Sequence, residues 1–348
     1  MNRLSRWAKS NRYSMKFIKT VLIGLGLFIS FFMGGMVYMA LLAPSPVCLT
    51  GQSKADLLFT QPEKSPLETS YIYMPGKGAH GNLMFEYAAG YCIAKKLDRS
   101  FIVSYRFKLL LSSLFHLSAP EPEQQSDGVN VTDFSVFTQR PKCCKYDERV
   151  TKLPRLDITL KGFFHSWLYF ESCADDIRRE FTLIDPLPKR ANDFLLKAIK
   201  SFKWDPESVV FVGMHIRRGG RRPGLLPLTH GDAKPPPGYY AKAMNYYDKK
   251  FPRRNVMFVV ASDDIRWARN NLDHPNIVIS GDKTVDFHMA VLSKCNHSII
   301  SVGSISWWSA WLTGGSVVYY NGWPSPHSLI SQKYTLNQYF YPRWVGMS

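Results

Sequence analysis

The chain has 348 residues, of which 14% are aromatic, and it carries a formal net charge of +17. This length is enough for two domains of ordinary size, and the aromatic content supplies a sizeable core. A net positive charge of this size favours binding to an anionic small ligand, a membrane face or nucleic acid. Because the chain contains no nucleic-acid-binding motif, we expect no nucleic-acid partner.

An uncharged segment near the N-terminus predicts a membrane anchor. Residues 21–42 contain no charged side chain and are long enough to span a bilayer, which takes roughly 20 residues, whereas the apolar core of a signal peptide has about 7–15. Residues 1–20 contain six cations and no acid, so the N-terminus is expected in the cytosol. We therefore predict a cytosolic tail (1–20), a transmembrane signal anchor (21–42), a proline-containing stem (43–70) and a luminal body. Asn130 and Asn296, which each begin an acceptor sequence for N-glycosylation, agree with a luminal body.

The cysteines are even in number, six in all, which permits disulfides in an oxidising compartment. None of their spacings is typical of a zinc site. We expect the adjacent Cys143 and Cys144 not to bond readily to each other. Cys92 and Cys295 lie in apolar helical patterns, and we expect them to be free buried thiols.

The sequence pattern of residues 71–204, the first part of the body, predicts an α/β domain in which strands and helices alternate irregularly. Helical periodicity alternates there with short apolar runs, and prolines and glycines indicate a loop over 118–150. An aromatic cluster over 163–170 is expected in the core, although stacking on a sugar remains open. The predicted elements are helices over 78–97, 175–181 and 185–202 and strands over 101–103 and 156–164.

The second part, residues 205–348, alternates regularly between strand and helix patterns. Such alternation favours a parallel sheet with helices on both faces, and thus a Rossmann-like domain. The predicted strands are 209–214, 256–261, 277–280, 298–302 and 317–320. The predicted helices are 239–251, 263–272, 285–295 and 306–312.

The first strand of this second part ends in a cationic sequence. The apolar run 209–214 is followed by His215, Ile216, Arg217, Arg218 and two glycines. The planar fork of an arginine can hold two phosphate oxygens at once, and ligands of open α/β sheets lie at the carboxyl ends of the strands. The pattern therefore indicates an anchor for the diphosphate of a nucleotide, with a basic surface turn as the alternative.

Four blocks of the sequence resemble those of a known family. They are GAHGNLMFEYA at 78–88, HIRRG at 215–219, VVASDD at 259–264, and a segment over 286–315 that contains CNHS and SISWW. Together they are similar to the inverting galactoside alpha-1,2-fucosyltransferases, glycosyltransferase family 11, over roughly residues 75–345. The resemblance implies a GT-B-like fold of two Rossmann-like α/β domains, preceded by the single transmembrane helix and the stem.

The family implies a Golgi type II membrane enzyme. It would transfer L-fucose from GDP-fucose to the 2-hydroxyl of a galactoside with inversion, and its partners would be GDP-fucose, a galactose-terminated glycan acceptor and the Golgi membrane. A homodimer is left open. We expect no cofactor and no metal, because the chain has no Asp-x-Asp pair that would hold a divalent ion on the diphosphate.

The resemblance also implies roles for individual residues. Arg217 and Arg218 would bind the diphosphate and stabilise the charge on the departing GDP. For the other positions both a binding role and a structural one remain: His215 binds phosphate or shapes the turn, Asp263 contacts ribose or caps a helix, and Asp286 binds guanine or begins a helix. The same holds for Ser304 and Ser306, which precede a helix. The opening block contributes Gly81 and Asn82, and Trp307, Trp308 and Trp311 are expected in the core.

Two positions depart from the family pattern. Gly220 stands where members usually have an acid, and Ala79 stands where they usually have an arginine. The general base is thereby left unassigned, and Asp232 is the candidate in the loop after the arginines. The alternative hypothesis is a catalytically inactive or altered-acceptor paralogue that binds a GDP-sugar or a glycan without alpha-1,2-fucosyl transfer.

Overall fold

The computed structural model describes residues 62–124, 129–141, 143–219 and 233–348. The predicted tail and anchor, most of the stem, Gly220 and Asp232 lie outside these ranges. Within them, no helix combines the length and the apolar character that crossing a bilayer requires.

The first half of the described chain forms a four-stranded parallel sheet in the order β2-β1-β4-β3. Its strands are β1 (Tyr71–Met74), β2 (Ser100–Val103), β3 (Ser135–Thr138) and β4 (Ile158–Lys161). Helices α1 (His80–Lys96) and α2 (Tyr105–Leu111) follow β1 and β2, and α3 (Ala174–Glu180) and α4 (Leu187–Phe202) lead towards the second sheet.

The second half forms a six-stranded parallel sheet in the order β10-β9-β8-β5-β6-β7. Its strands are β5 (Val209–Ile216), β6 (Asn255–Ser262), β7 (Ile277–Ile279), β8 (His297–Ile300), β9 (Val317–Tyr320) and β10 (Val345–Met347). The helices are α5 (Pro237–Lys250), α6 (Ile265–Asn271), α7 (Val285–Ser293), α8 (Ser304–Thr313) and α9 (Leu336–Tyr339). Read from β7, this is the strand order of a doubly wound Rossmann sheet, and its direction of winding reverses between β5 and β8. The predicted α/β class with parallel sheets is thus confirmed.

Aromatic packing joins the two sheets, which belong to one compact unit. Helix α1 is buried on nearly every side, as expected of a helix without a polar face. The Phe85 ring lies 4.7 Å from that of Trp307 and 5.0 Å from that of Trp308 on α8. The predicted core positions of Trp307, Trp308 and Trp311 are confirmed, because each is almost fully buried.

Part of the segment predicted as a loop is instead a strand. β3 lies within 118–150 and pairs with β4 over its whole length. The prediction was wrong because this strand has only four residues and begins and ends with a hydroxyl side chain, so it lacks the apolar run that marks a strand in a sequence. β1, β10, α9 and the short α2 were not predicted either, because each has only three to seven residues.

Two expectations about cysteines were wrong. Cys92 on α1 forms a disulfide with Cys173, across a Cα–Cα distance of 5.9 Å, because the apolar face that carries Cys92 packs against the turn before α3. Cys143 and Cys144 are also disulfide-bonded, and Cys143 adopts a positive φ of 113°, a backbone conformation that a sequence pattern does not reveal. Cys295 is a free buried thiol, as predicted.

Candidate functional site

The candidate site lies where the winding of the six-stranded sheet reverses. β5 and β8 are adjacent there, and their carboxyl ends lead into Arg217 and into the start of α8. Loops that follow such neighbouring strands separate to opposite faces of the sheet, which leaves a crevice for a ligand. The structure therefore brings the HIRRG and SISWW blocks of the sequence together at one edge.

The side chains of Arg217 and Arg218 point to opposite sides of β5. The backbone N–H of Arg217 donates to Ser301 Oγ at 2.9 Å, and its exposed side chain runs beside Gly303, where an added Cβ would lie 3.3 Å from Arg217 Nη1. Gly303 has a φ of +97°, so a side chain there would be strained as well as crowded. The guanidinium of Arg217 makes no hydrogen bond or ion pair to any residue that the structure describes, which leaves its donors for a ligand.

The side chain of Arg218 already has protein partners. Its guanidinium carbon lies 3.9 Å from the centre of the Trp267 ring, and its Nη1 donates to the carbonyl of Pro235 at 3.0 Å. Successive side chains of an extended segment point in opposite directions, and here Arg218 points towards β6 and α6. The two guanidinium groups therefore do not converge, and a direct role of Arg218 on the diphosphate stays a prediction.

Asp263 holds the turn that carries the arginines. Its two carboxylate oxygens accept the backbone N–H groups of Arg218 and Gly219, at 2.7 and 2.9 Å. The cap of α6 is its neighbour Asp264, which accepts from Trp267 N at 3.0 Å, so the capping role considered for Asp263 was wrong. A contact between Asp263 and ribose stays a prediction.

His215 and Ser306 are joined inside the protein. His215 is only 6% exposed, and its Nδ1 lies 2.5 Å from Ser306 Oγ. Burial, with smaller contributions from His288 and Arg217, lowers the pKa of His215 to about 3. The ring is therefore neutral at physiological pH, and it connects the end of β5 to the first turn of α8 rather than presenting a charge to a phosphate.

The first turn of α8 presents free backbone donors. Its cap, Gly303, has no side chain to occupy the N–H groups, and the turn contains no acid. The first N–H groups of a helix have no acceptor within the helix, and together with the helix dipole they form an anion-binding site. Ser304 begins this turn and donates its hydroxyl to Asn82 Oδ1 at 3.1 Å.

Helix α1 meets α8 at this point. A Cβ on Gly81 would lie 2.5 Å from Ser304 Oγ and 2.8 Å from Ile305 N, so only glycine permits this approach. The first turn of α1 likewise has no side-chain cap and no acid, and its capping position is Ala79. Two positive helix ends thus converge beside Arg217, and their fields favour an anion between the two halves of the unit.

The remaining predicted residues occupy separate places. Asp286 lies in the first turn of α7, half-buried, and its carboxylate has no partner among the described residues, so it remains available as an acceptor. Asn130 is exposed and accepts from Thr132 N at 3.2 Å. Asn296 is exposed and its Oδ1 accepts from Phe211 N at 2.8 Å. Glycosylation of these two residues stays a prediction, and Asp232 lies outside the described residues.

One group of metal-ligating residue types occurs within the described ranges. Ligand atoms of Cys143, Cys144 and His165 all lie within 4.8 Å of one another. The two sulfurs are bonded to each other, and a metal ligand must be a thiolate. In this oxidised state the group therefore does not offer a complete set of ligands.

Sequence reasoning missed three residues that shape the site: Ser301, Gly303 and Trp267. Gly303 follows the strand β8 after two residues and precedes a serine-rich helix start, a pattern that indicates a turn with positive φ before a helix. Ser301 and Trp267 carry no such signal, because their partners, Arg217 and Arg218, lie far away in the sequence, just after β5.

Comparison with known proteins agrees with the four sequence blocks. The family description "Glycosyl transferase family 11" matches residues 77–348. Galactoside alpha-(1,2)-fucosyltransferase 1 of Rattus norvegicus is 28% identical over 298 residues, which cover 82% of this chain and 75% of that protein. Galactoside 2-alpha-L-fucosyltransferase SEC1 of Bos taurus is 29% identical over 280 residues, with 78% and 72% covered. A solved structure of a mutant of Arabidopsis thaliana FUT1 in complex with GDP is 12% identical, with a TM-score of 0.46 over 73% of this chain and 70% of that one.

Proposed function

Because the chain belongs to glycosyl transferase family 11, we propose that it transfers L-fucose from GDP-fucose to the 2-hydroxyl of a galactoside. The two half-units would act as the two domains of a GT-B enzyme, with the nucleotide at the carboxyl edge of the six-stranded sheet and the acceptor opposite. A galactose-terminated glycan would be the acceptor, and the product would have the inverted, alpha-1,2 configuration.

One observation supports the nucleotide site above all: the first turn of α8, which has no side-chain cap, lies beside the guanidinium of Arg217, which has no partner among the described residues. The diphosphate would accept from the N–H groups that follow Gly303 and from the fork of Arg217. As the bond between fucose and the β-phosphate breaks, negative charge grows on the phosphate, and these fixed donors stabilise it. They supply positive charge without a divalent ion, so we propose metal-independent transfer. Asp286, which lies near the same edge and has no partner in the part of the chain that the structure describes, would accept from the N–H groups of guanine.

The site of action would be the Golgi lumen. The uncharged segment 21–42, the cations that precede it and the exposed sequons at Asn130 and Asn296 support a type II membrane protein. Detection of carbohydrate on Asn130 or Asn296, with the N-terminus accessible only from the cytosolic side, is the direct test of this topology.

The test of the nucleotide site is replacement of Arg217 in the purified full-length chain. Arg217→Ala should lower kcat/KM for fucose transfer by about 10²–10³-fold, the usual cost of removing one transition-state donor. Arg217→Lys should restore only part of the activity, because an ammonium group lacks the planar fork. The matched control is Arg269→Ala, which removes an exposed cation from α6 and should leave the rate within about twofold.

Calorimetric titration with GDP separates the hypotheses. Binding of GDP by the unmodified chain, weakened by Arg217→Ala and not by Arg269→Ala, supports the proposed site. Binding without transfer to any of a panel of galactosides would favour the inactive or altered-acceptor paralogue. Transfer that survives Arg217→Ala undiminished would contradict the placement of the diphosphate.

A further inference from the structure

The four-stranded sheet has a cavity of its own, of about 480 Å³. It lies at the carboxyl ends of β1 and β4 and is lined by Pro75, Lys77, Lys161 and Phe163. β1 has β2 on one side and β4 on the other, and crevices beside such a central strand are where open α/β sheets bind ligands. The volume falls within the range of small-molecule sites, roughly 300–1,000 Å³.

We propose that this cavity binds the acceptor sugar and that Glu86, in its wall, takes the proton from the reacting hydroxyl. This inference rests on the proposed function. The half-buried ring of Phe163 offers a flat apolar surface for the C–H groups of a pyranose. The ammonium group of Lys77 lies 5.8 Å from that ring, and Lys161 is exposed nearby. Both ammonium groups can donate to sugar hydroxyls while Glu86 accepts from one.

Glu86 differs from the other buried carboxylates of the described residues. Asp147 is paired with Arg149, Asp176 with Lys95 and Arg179, and Glu180 accepts from the hydroxyls of Tyr87 and Ser118. Among the residues that the structure describes, Glu86, which is 1% exposed, accepts only from the backbone N–H of Lys77, at 2.9 and 3.2 Å to its two oxygens. A carboxylate has more acceptor sites than one N–H can fill, so Glu86, which lines the cavity, can accept from a further donor there.

Helix α1 connects this carboxylate to the nucleotide site. Asn82, which accepts from Ser304 at the start of α8, and Glu86 are four residues apart on α1 and therefore lie on the same face, with Cβ atoms about 5–6 Å apart. A hydroxyl bound beside Glu86 would thus lie about one helical turn from the diphosphate donors. That spacing suits direct attack on the fucose carbon attached to the β-phosphate.

The environment of Glu86 favours proton uptake. Burial raises the pKa of Glu86 to about 8, while the N–H of Lys77 and the charges of Lys77 and Arg106 oppose the shift. In the transfer step the acceptor oxygen bonds to the fucose carbon, and the bond from that carbon to the β-phosphate oxygen breaks. The bonding pair leaves with GDP, and the hydroxyl proton moves to a Glu86 oxygen, from which it later passes to solvent. A base with a pKa near the working pH serves this step well.

The test is Glu86→Gln in the full-length chain, since glutamine keeps an oxygen for the Lys77 N–H and removes only the proton acceptor. We expect kcat to fall by about 10²–10⁴-fold and the dissociation constant of GDP-fucose to change less than about twofold. The rise of kcat/KM with pH near 8 should disappear. The control is Glu180→Gln, a buried carboxylate of the same half without a place in the cavity, which should keep the pH profile of the unmodified chain.

The outcomes separate this inference from the proposed function. If the unmodified chain fails to bind GDP-fucose, the proposed function is wrong. If it binds and transfers fucose, and Glu86→Gln retains kcat and the pH profile, then Glu86 is not the proton acceptor. Should Glu86→Gln not fold, Glu86→Asp decides: a lowered kcat with a shifted pH dependence supports the assignment, and an unchanged profile overturns it.

Discussion

Replacement of Gly81 by alanine tests whether the approach of α1 to α8 forms the nucleotide site. Gly81 is the second residue of α1, and a Cβ there would lie 2.5 Å from Ser304 Oγ and 2.8 Å from both Ile305 N and the Ser304 carbonyl carbon. Two of these three atoms belong to the backbone, so no side-chain rotation relieves the contact. The helices must separate by a few tenths of an ångström or more, and the first turn of α8 must move with them.

A second glycine provides the reference for the magnitude. Gly238 is also the second residue of its helix, α5, and an added Cβ there would meet nothing within 4 Å. Alanine in place of either glycine stabilises the helix by about 0.4–1 kcal/mol, whereas forcing a methyl group into packed structure costs about 1–3 kcal/mol. The difference in the free energy of unfolding between Gly81→Ala and Gly238→Ala should therefore be about 1–3 kcal/mol, with Gly81→Ala the less stable.

Denaturant unfolding and GDP titration of both variants complete the test. Gly238→Ala should be as stable as the unmodified chain or slightly more so, with the same affinity for GDP. Gly81→Ala should bind GDP at least about tenfold more weakly, because donors displaced from their fixed positions no longer fit the diphosphate. If Gly81→Ala is as stable as Gly238→Ala and binds GDP equally well, then the contact between the two helix ends does not form the site.

Two further predictions concern stability. Replacing both Cys92 and Cys173 by alanine should lower the free energy of unfolding by up to about 4.5 kcal/mol, the loop-closure value for a separation of 81 residues. The assay is guanidinium unfolding without reductant, and the control is Cys295→Ala. Equal losses of stability in the double variant and the control would contradict the disulfide. The pKa of His215 is lowered from 6.5 to about 3. His215 therefore binds a proton below about pH 6.5 in the unfolded chain, but only below about pH 3 in the folded chain. Stability is therefore lost as the pH falls through this range, by about 2 kcal/mol at pH 5. His215→Gln should lose that much less between pH 7 and pH 5 in the same assay, and an equal loss would show that the ring is not held neutral.

The sequence predicted the second sheet better than the first, for a physical reason. β5 and β6 each have eight residues and are almost fully buried, and a strand buried on both faces is a continuous apolar run. β1, β2, β3 and β4 have four residues each. Of these four short strands the sequence predicted β2 and β4 but missed β1 and β3, because runs of four residues do not stand out reliably from the background of apolar residues.

The candidate site was predictable in its location but not in its contacts. Arg217 follows a buried strand, which indicates a sheet edge, and the alternation of side chains along an extended segment could have shown that Arg218 points away from it. The bond from Ser304 to Asn82 joins residues 222 positions apart, and the partner of Cys92 lies 81 positions away. Such pairs depend on how the elements pack, which local patterns do not encode.

Helix α1 gives the proposed reaction its geometry. Its first turn meets the nucleotide side through Gly81 and Asn82, and its second turn carries Glu86 in the wall of the acceptor cavity. The distance between the diphosphate donors and the proton acceptor is therefore fixed by a helix with rigid rise per residue rather than by a loop. Since orientation of the reactants accounts for much of the rate of a group transfer, a change that tilts α1, such as loss of the Cys92–Cys173 bond at its far end, should lower kcat even where GDP still binds.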